Sequence, residues 1–169
     1  MLSTNRLNIL EAKESDIETI MEMENHIENR NFVWKGTYEE HKAEILDDDF
    51  FLFIIKQKED DATVGFALIK IDKKSEVFEL RRIVISKKGG GYGKEVVSEL
   101  FRFAFEDLGM NRLWLDVYPD NLIGIKLYEK LDMKREGILR QNYKSERGFL
   151  DQIIYSMLKS EYFSIKNPR

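Results

Sequence analysis

The stretch EVFELRRIVISKKGGGYGKEVVSELFRFAF, residues 76–105, constrains the fold more than any other part of the chain. A strand-like run ends at Ile85, glycines crowd Gly89–Gly93, and a helical pattern follows with Val96, Val97, Leu100, Phe101, Ala104 and Leu108 on one face. The next strand, NRLWLDVYP, is closed by Pro119. A strand–helix–strand run of this kind almost always makes a right-handed parallel crossover.

The rest of the chain supplies hairpins and flanking helices. RLNILEA reads as a first strand, and residues 14–30 have helical spacing with Ile17, Ile20, Met21 and Ile27 on one stripe. Thr37 and Glu40 form a capping box for a short helix reaching about Leu46. FFLFIIKQ, the EDDA turn and TVGFALIKI make a hairpin; a helix runs from Asn121 to about Leu131, and strands near 134–144 and 149–158 finish the chain. The expected fold is a single α/β domain over residues 1–169. It has a mixed, mostly antiparallel sheet of about seven strands, a central parallel pair and helices on both faces.

A strand that feeds a helix through glycines offers unpaired N–H groups at the positive end of the helix dipole, an arrangement suited to phosphate. Glycine permits the unusual dihedrals and the close approach. The two common nucleotide motifs do not fit. A P-loop ending at Gly93-Lys94 requires glycine at Lys88 and Ser or Thr at Glu95, and a G-x-G-x-x-G begun at Gly89 requires glycine at Lys94.

Lys88-Gly89-Gly90-Gly91-Tyr92-Gly93 instead resembles the [QR]-x-x-G-x-[GA] loop after the fourth strand of the GCN5-related N-acetyltransferase (GNAT) family. ELRRIVI resembles that fourth strand, and NLIGIKLYEKLDM the family's N-x-x-A-x-x-x-Y-x-x-x-G-F segment. REGILRQ and IIYSML are most similar to the ribosomal-protein and polyamine acetyltransferase branch. Three positions depart from the pattern: Lys88 replaces Gln or Arg, Gly124 replaces alanine, and Asp132-Met133 replaces Gly-Phe.

The resemblance implies acetyl-CoA as cofactor, its pyrophosphate on the loop at Lys88, Gly89, Gly90, Gly91, Tyr92, Gly93 and Lys94. It further implies that backbone groups of Ile83, Val84 and Ile85 hold the pantetheine, with Asn121 and Gly124 bordering it. Asn121, Gly124 and Tyr128 share a helix face by spacing. By resemblance the Tyr128 hydroxyl protonates the leaving thiolate; its other role is that of a core aromatic. Glu79, six residues before Ile85, resembles a water-mediated general base; an ion pair with a neighbouring arginine is the alternative. By strand alternation Glu79, Arg81, Ile83 and Ile85 share one side.

Acetyl transfer to an amine needs no covalent intermediate, and the chain has no cysteine to form one. The absence of cysteine also excludes disulfides and thiolate metal sites, and with two histidines, His26 and His41, no metal site is expected. No membrane span or leader is evident, and the expected location is cytoplasmic. Basic residues are not interleaved with aromatics, which argues against nucleic acid.

Residues 1–60 carry 15 acidic and 7 basic side chains, a balance that favours a cationic ligand. Glu24 and Glu28 fall on the apolar stripe of the first helix, where a carboxylate needs a partner or a cleft. They either line an acceptor cleft with Phe32 and Trp34 or lie solvated on a protruding end. The expected partner is an amine, either a polyamine or other small amine or a protein N-terminus. A non-catalytic acyl-CoA sensor is the alternative reading, and a homodimer is compatible with the sequence.

Overall fold

The computed structural model describes residues 1–167. Eight strands form one sheet: β1 (Leu2–Ser3), β2 (Leu7–Glu11), β3 (Phe50–Gln57), β4 (Thr63–Asp72), β5 (Val77–Ile85), β6 (Arg112–Val117), β7 (Lys134–Ser145) and β8 (Gly148–Leu158). Their order is β1-β2-β3-β4-β5-β6-β8-β7, antiparallel throughout except for the central β5–β6 pair. The helices are α1 (Ile17–Asn25), α2 (Tyr38–Leu46), α3 (Tyr92–Arg102, continued by a π-turn through Asp107), α4 (Leu122–Lys130) and α5 (Lys159–Lys166). The mixed sheet, the parallel pair and the helical crossover at 92–107 agree with the sequence pattern. The short β1 and the closing helix α5 have no counterpart in it.

One face of the sheet packs Leu7, Ile9, Phe53, Ile55, Ala67 and Ile69 against Val96, Val97, Leu100, Phe101 and Ala104 of the α3 region. Each buried aliphatic side chain here is worth ~1.5–3 kcal/mol relative to exposure. The other face packs Leu52, Ile54, Phe66 and Leu68 against Ile20 and Met23 of α1. The α1 stripe is Ile17, Ile20, Met23 and Glu24, and α1 stops at Asn25. Ile27, expected on that stripe, is exposed beyond it. The capping box of α2 is present: Glu40 N–H donates to Thr37 Oγ1 at 3.2 Å, and Thr37 N–H donates to Glu40 Oε2 at 2.7 Å.

A bulge in β5 shapes the site. Leu68 pairs with Arg82 and Ile69 with Leu80, leaving Arg81 as an extra residue. Phe78 and Leu80 therefore face the α3 side, whereas Val84 faces α1. Simple alternation, which puts Glu79 on a face with Ile83 and Ile85, fails because the bulge reverses the pleat. Parallel pairing to β6 ends at Glu79↔Trp114, while β6 continues to pair with β8 as far as Val117. The two central strands consequently part beyond Glu79.

Candidate active site

The parting of β5 and β6 opens a cleft of about 330 Å³ bordered by Glu79, Arg82, Ile83, Trp114, Asp116 and Tyr128. Leu113, Leu115 and Val117 belong to the core on the α3 side, so alternation turns Trp114 and Asp116 to the other face, alongside Glu79. Tyr128 arrives from α4 on the α3 side, where it packs 6.1 Å from the Tyr155 ring. Only the gap between the strands lets these two sets of side chains share one space.

Tyr128 is 6% exposed, and its hydroxyl has no hydrogen-bond partner among the described residues. Burial, reinforced by the charge of Asp116, raises its pKa well above the ordinary phenol value. It holds its proton at neutral pH and has one to give. Asp116 is pushed up to about 6 by burial and by the charge of Glu79, against the opposing hydrogen bond from Gln152 Nε2 at 2.7 Å. Burial also raises Glu79, with Arg81 and Lys70 acting in the opposite sense. Arg81 Nε stands 3.8 Å from Glu79 Oε1. Two carboxylates with raised pKa values thus face one cleft.

A second channel of about 220 Å³ shares Phe32, Val33, Ile83 and Asn121 with the cleft and runs past Ile85 to Lys88. The glycine loop lies at its end. Gly89 and Gly91 both have φ +77°, the left-handed region that favours glycine, and Gly91 is the N-cap of α3. Glu95 N–H closes the first helical turn on the Gly91 carbonyl at 3.2 Å. The N–H groups of Tyr92, Gly93 and Lys94 precede that bond and lack helical partners. A Cβ at Gly89 would meet nothing within 4 Å, so the loop is open on its outer side. This donor set and channel fit a phosphate-bearing cofactor with an extended arm.

Several residues expected at the cofactor also make contacts within the chain. The Tyr92 side chain is buried in the core beneath the Arg6 guanidinium, 4.4 Å away, so only its backbone can serve the loop. Lys88 reaches across the channel to Asn29 Oδ1 at 3.0 Å, and burial lowers its pKa. Asn121 caps α4 by accepting from Gly124 N–H at 3.0 Å. A Cβ at Gly124 would lie 2.9 Å from Asn121 Nδ2, so this glycine makes room for the cap and does not border the cleft.

Of the four expected acceptor residues, Phe32 and Trp34 line the cleft and Glu28 lines the second channel. Glu24 does neither. It is fully buried, accepts from Gly36 N–H at 2.9 Å, and lies 3.2 Å from His41 Nε2 and 3.3 Å from Arg82 NH1. The physical reason is charge: Arg82 crosses from β5 into the α1–α2 interface and requires a carboxylate there. Arg82 in turn lies 4.9 Å from the Trp34 ring centre.

Asp116, Gln152, Asn142 and Tyr143 complete the cleft and are not evident from the sequence pattern. For Asp116 a signal existed, since an aspartate inside the alternating core strand RLWLDV calls for a reason. The others sit on the β7–β8 hairpin, where a bulge at 140–142 defeats alternation. Trp34 and Tyr143 are 6.2 Å apart and Tyr143 and Tyr118 5.8 Å, forming an aromatic neck between the cleft and a third opening.

Comparison with known proteins places this architecture. Residues 6–134 match the family model described as an acetyltransferase (GNAT) domain. The chain belongs to the GNAT acetyltransferase family. An uncharacterized N-acetyltransferase, p20 of Bacillus licheniformis, is 32% identical over 115 residues, covering 66% of this chain and 63% of that relative. The chain thus spans somewhat under two thirds of the length of p20. Among solved structures, a spermidine N-acetyltransferase from Vibrio cholerae in complex with CoA and spermine superposes with TM-score 0.82 at 18% identity, covering 93% of this chain and 98% of that one. A GNAT-family acetyltransferase from Bacillus anthracis gives TM-score 0.79 at 18% identity over 95% and 99% of the two chains. These structures share the GNAT fold.

Proposed function

We propose that this GNAT protein transfers an acetyl group from acetyl-CoA directly to a primary amine in the cleft between β5 and β6. The observation that carries the reading is the gap itself. It joins a proton-bearing Tyr128 hydroxyl without a partner, two carboxylates of raised pKa and an open strand edge leading to a glycine-capped helix start.

Acetyl-CoA, when bound, supplies the thioester and its acetyl group. The free N–H groups of Tyr92, Gly93 and Lys94 would hold its pyrophosphate, and the unpaired β5 edge at Ile83–Ile85 its pantetheine amides. The amine arrives protonated, and Glu79 with Asp116 accepts that proton, directly or through water. Carboxylates raised toward neutrality suit this task better than ordinary ones. Tyr128 donates its proton to the departing sulfur. Trp114 and Phe32 close the walls, which keeps water low around the two charges.

Free-thiol release from acetyl-CoA with a panel of primary amines tests the reading, with acetyl-CoA binding measured in parallel. Turnover with one class of amine supports it. Binding without turnover by any amine supports an acyl-CoA sensor instead. The chain's lack of cysteine removes protein background from the thiol reagent.

A further inference from the structure

The acceptor side of the cleft carries the wrong charge for a polyamine. Beyond the aromatic neck, the third opening, about 220 Å³, is bordered by Arg30 and Lys35 of the segment between α1 and α2 and by Lys144, Glu146 and Arg147 of the β7–β8 hairpin. Lys35 pairs with Glu146 at 3.0 Å. Arg147 pairs with Asp120 at 2.5 Å and donates to the Asn31 carbonyl at 2.7 Å. Arg30 has no carboxylate partner among the described residues; neither has Lys144, whose ammonium lies over the Phe149 ring, 5.9 Å from its centre. Four cations therefore meet two carboxylates, and the surplus is positive.

The deeper cleft has the opposite balance. Arg82 is neutralised by Glu24 and Glu44 at 3.3 and 3.5 Å, which leaves Glu79 and Asp116 against Arg81. The site is thus polarised along its length, with carboxylates at the reacting end, aromatic rings at the waist and unpaired cations at the mouth. Trp34, Tyr118 and Tyr143 line both spaces, so an extended ligand can pass from one to the other without leaving contact with the chain.

We infer that the acceptor is a primary amine whose far end carries an anionic group, a carboxylate or a phosphate, held by Arg30 and Lys144. This rests on the acetyl-transfer reading above and narrows its substrate class. A polyamine would set a second ammonium against the surplus cations, whereas an anion there gains the same interaction with reversed sign. The acidic surplus of residues 1–60 does not counter this, because none of those carboxylates borders the third opening.

The test compares acceptors matched in length but opposite in distal charge: 6-aminohexanoate with cadaverine, and the peptide Ala-Glu-Glu with Ala-Lys-Lys. O-phosphoethanolamine and spermidine extend the two series, and a neutral amine, hexylamine, serves as reference. The expected result is a kcat/KM at least about tenfold higher for the anionic members, weakening as salt rises. Which anionic arm leads separates carboxylate from phosphate. In the R30E/K144E double variant the anionic-to-cationic ratio falls at least about tenfold, carried by KM. Preference for spermidine and cadaverine, or an unchanged ratio in the double variant, overturns the inference while hexylamine turnover leaves the acetyl-transfer reading standing. No turnover with any amine, hexylamine included, overturns both.

Discussion

The His41 imidazole lies 3.2 Å from the Glu24 carboxylate, and both side chains are fully buried. The second ring nitrogen meets Glu44 at 2.8 Å. Burial works against the charged ring, but hydrogen bonds and charge from both carboxylates outweigh it and raise the pKa from 6.5 to about 9. His41⁺ and Arg82⁺ together balance Glu24 and Glu44. Because Glu24 also holds Gly36 N–H and Arg82 backs Trp34, this cluster fixes the segment that forms one wall of the cleft.

The stability that His41 contributes has a defined pH window. Its folded pKa exceeds its unfolded value, so the contribution is complete below pH 6.5 and is lost as pH rises through about 9. The wild-type Tm should fall across that interval more steeply than that of His41→Gln. Parallel Tm curves for the two proteins contradict the assignment.

Glu24→Gln leaves two buried cations facing one carboxylate. The expected loss is about 3 kcal/mol of stability, measured by denaturant unfolding. Glu28→Gln, at an exposed position beside the channel, should change stability by less than about 0.5 kcal/mol. Equal effects would mean that Glu24 is not the counterion it is taken to be.

Asp116→Asn separates activity from stability. A carboxyl raised from 3.8 to about 6 costs stability as pH climbs through that range, so the amide should raise Tm at neutral pH and make no difference below pH 3.8. The gain is about 1–2 kcal/mol after solvent screening. The same change should lower kcat/KM and remove or displace the acid limb near pH 6 in the pH–rate profile.

At Gly89 and Gly91, alanine must adopt φ +77°, a strain of about 1 kcal/mol. The added methyl at Gly89 meets nothing, so its cost falls on the backbone and on whatever the loop holds. Gly89→Ala should raise KM for acetyl-CoA severalfold and lower Tm by about 2–4 °C.

The sequence was most legible where a residue's role follows from local pattern. The helix face from Val96 to Ala104, the Thr37 capping box and the parallel crossover all depend on spacing within one segment, and they stand as expected. Glu24 on an apolar stripe was visible as an anomaly, but its partners Arg82 and His41 lie 58 and 17 residues away, beyond any local pattern. The bulge at Arg81 has no signature in a run as regular as VFELRRIVI, yet it decides which side chains face the cleft. The third opening was hidden for the same reason, since it joins the segment after α1 to a hairpin more than a hundred residues later.

The central claim is that acetyl transfer takes place in the gap between β5 and β6 with Tyr128 as the proton donor. The most direct measurement compares wild type with Tyr128→Phe in single-turnover acetyl transfer to the best amine, with acetyl-CoA affinity and Tm determined on the same samples. The expected result is a rate about 10²-fold lower or more, with unchanged affinity and a Tm shift of a degree or less, because the lost hydroxyl has no partner among the described residues. A Tyr128→Phe protein that transfers acetyl at the wild-type rate would contradict the claim.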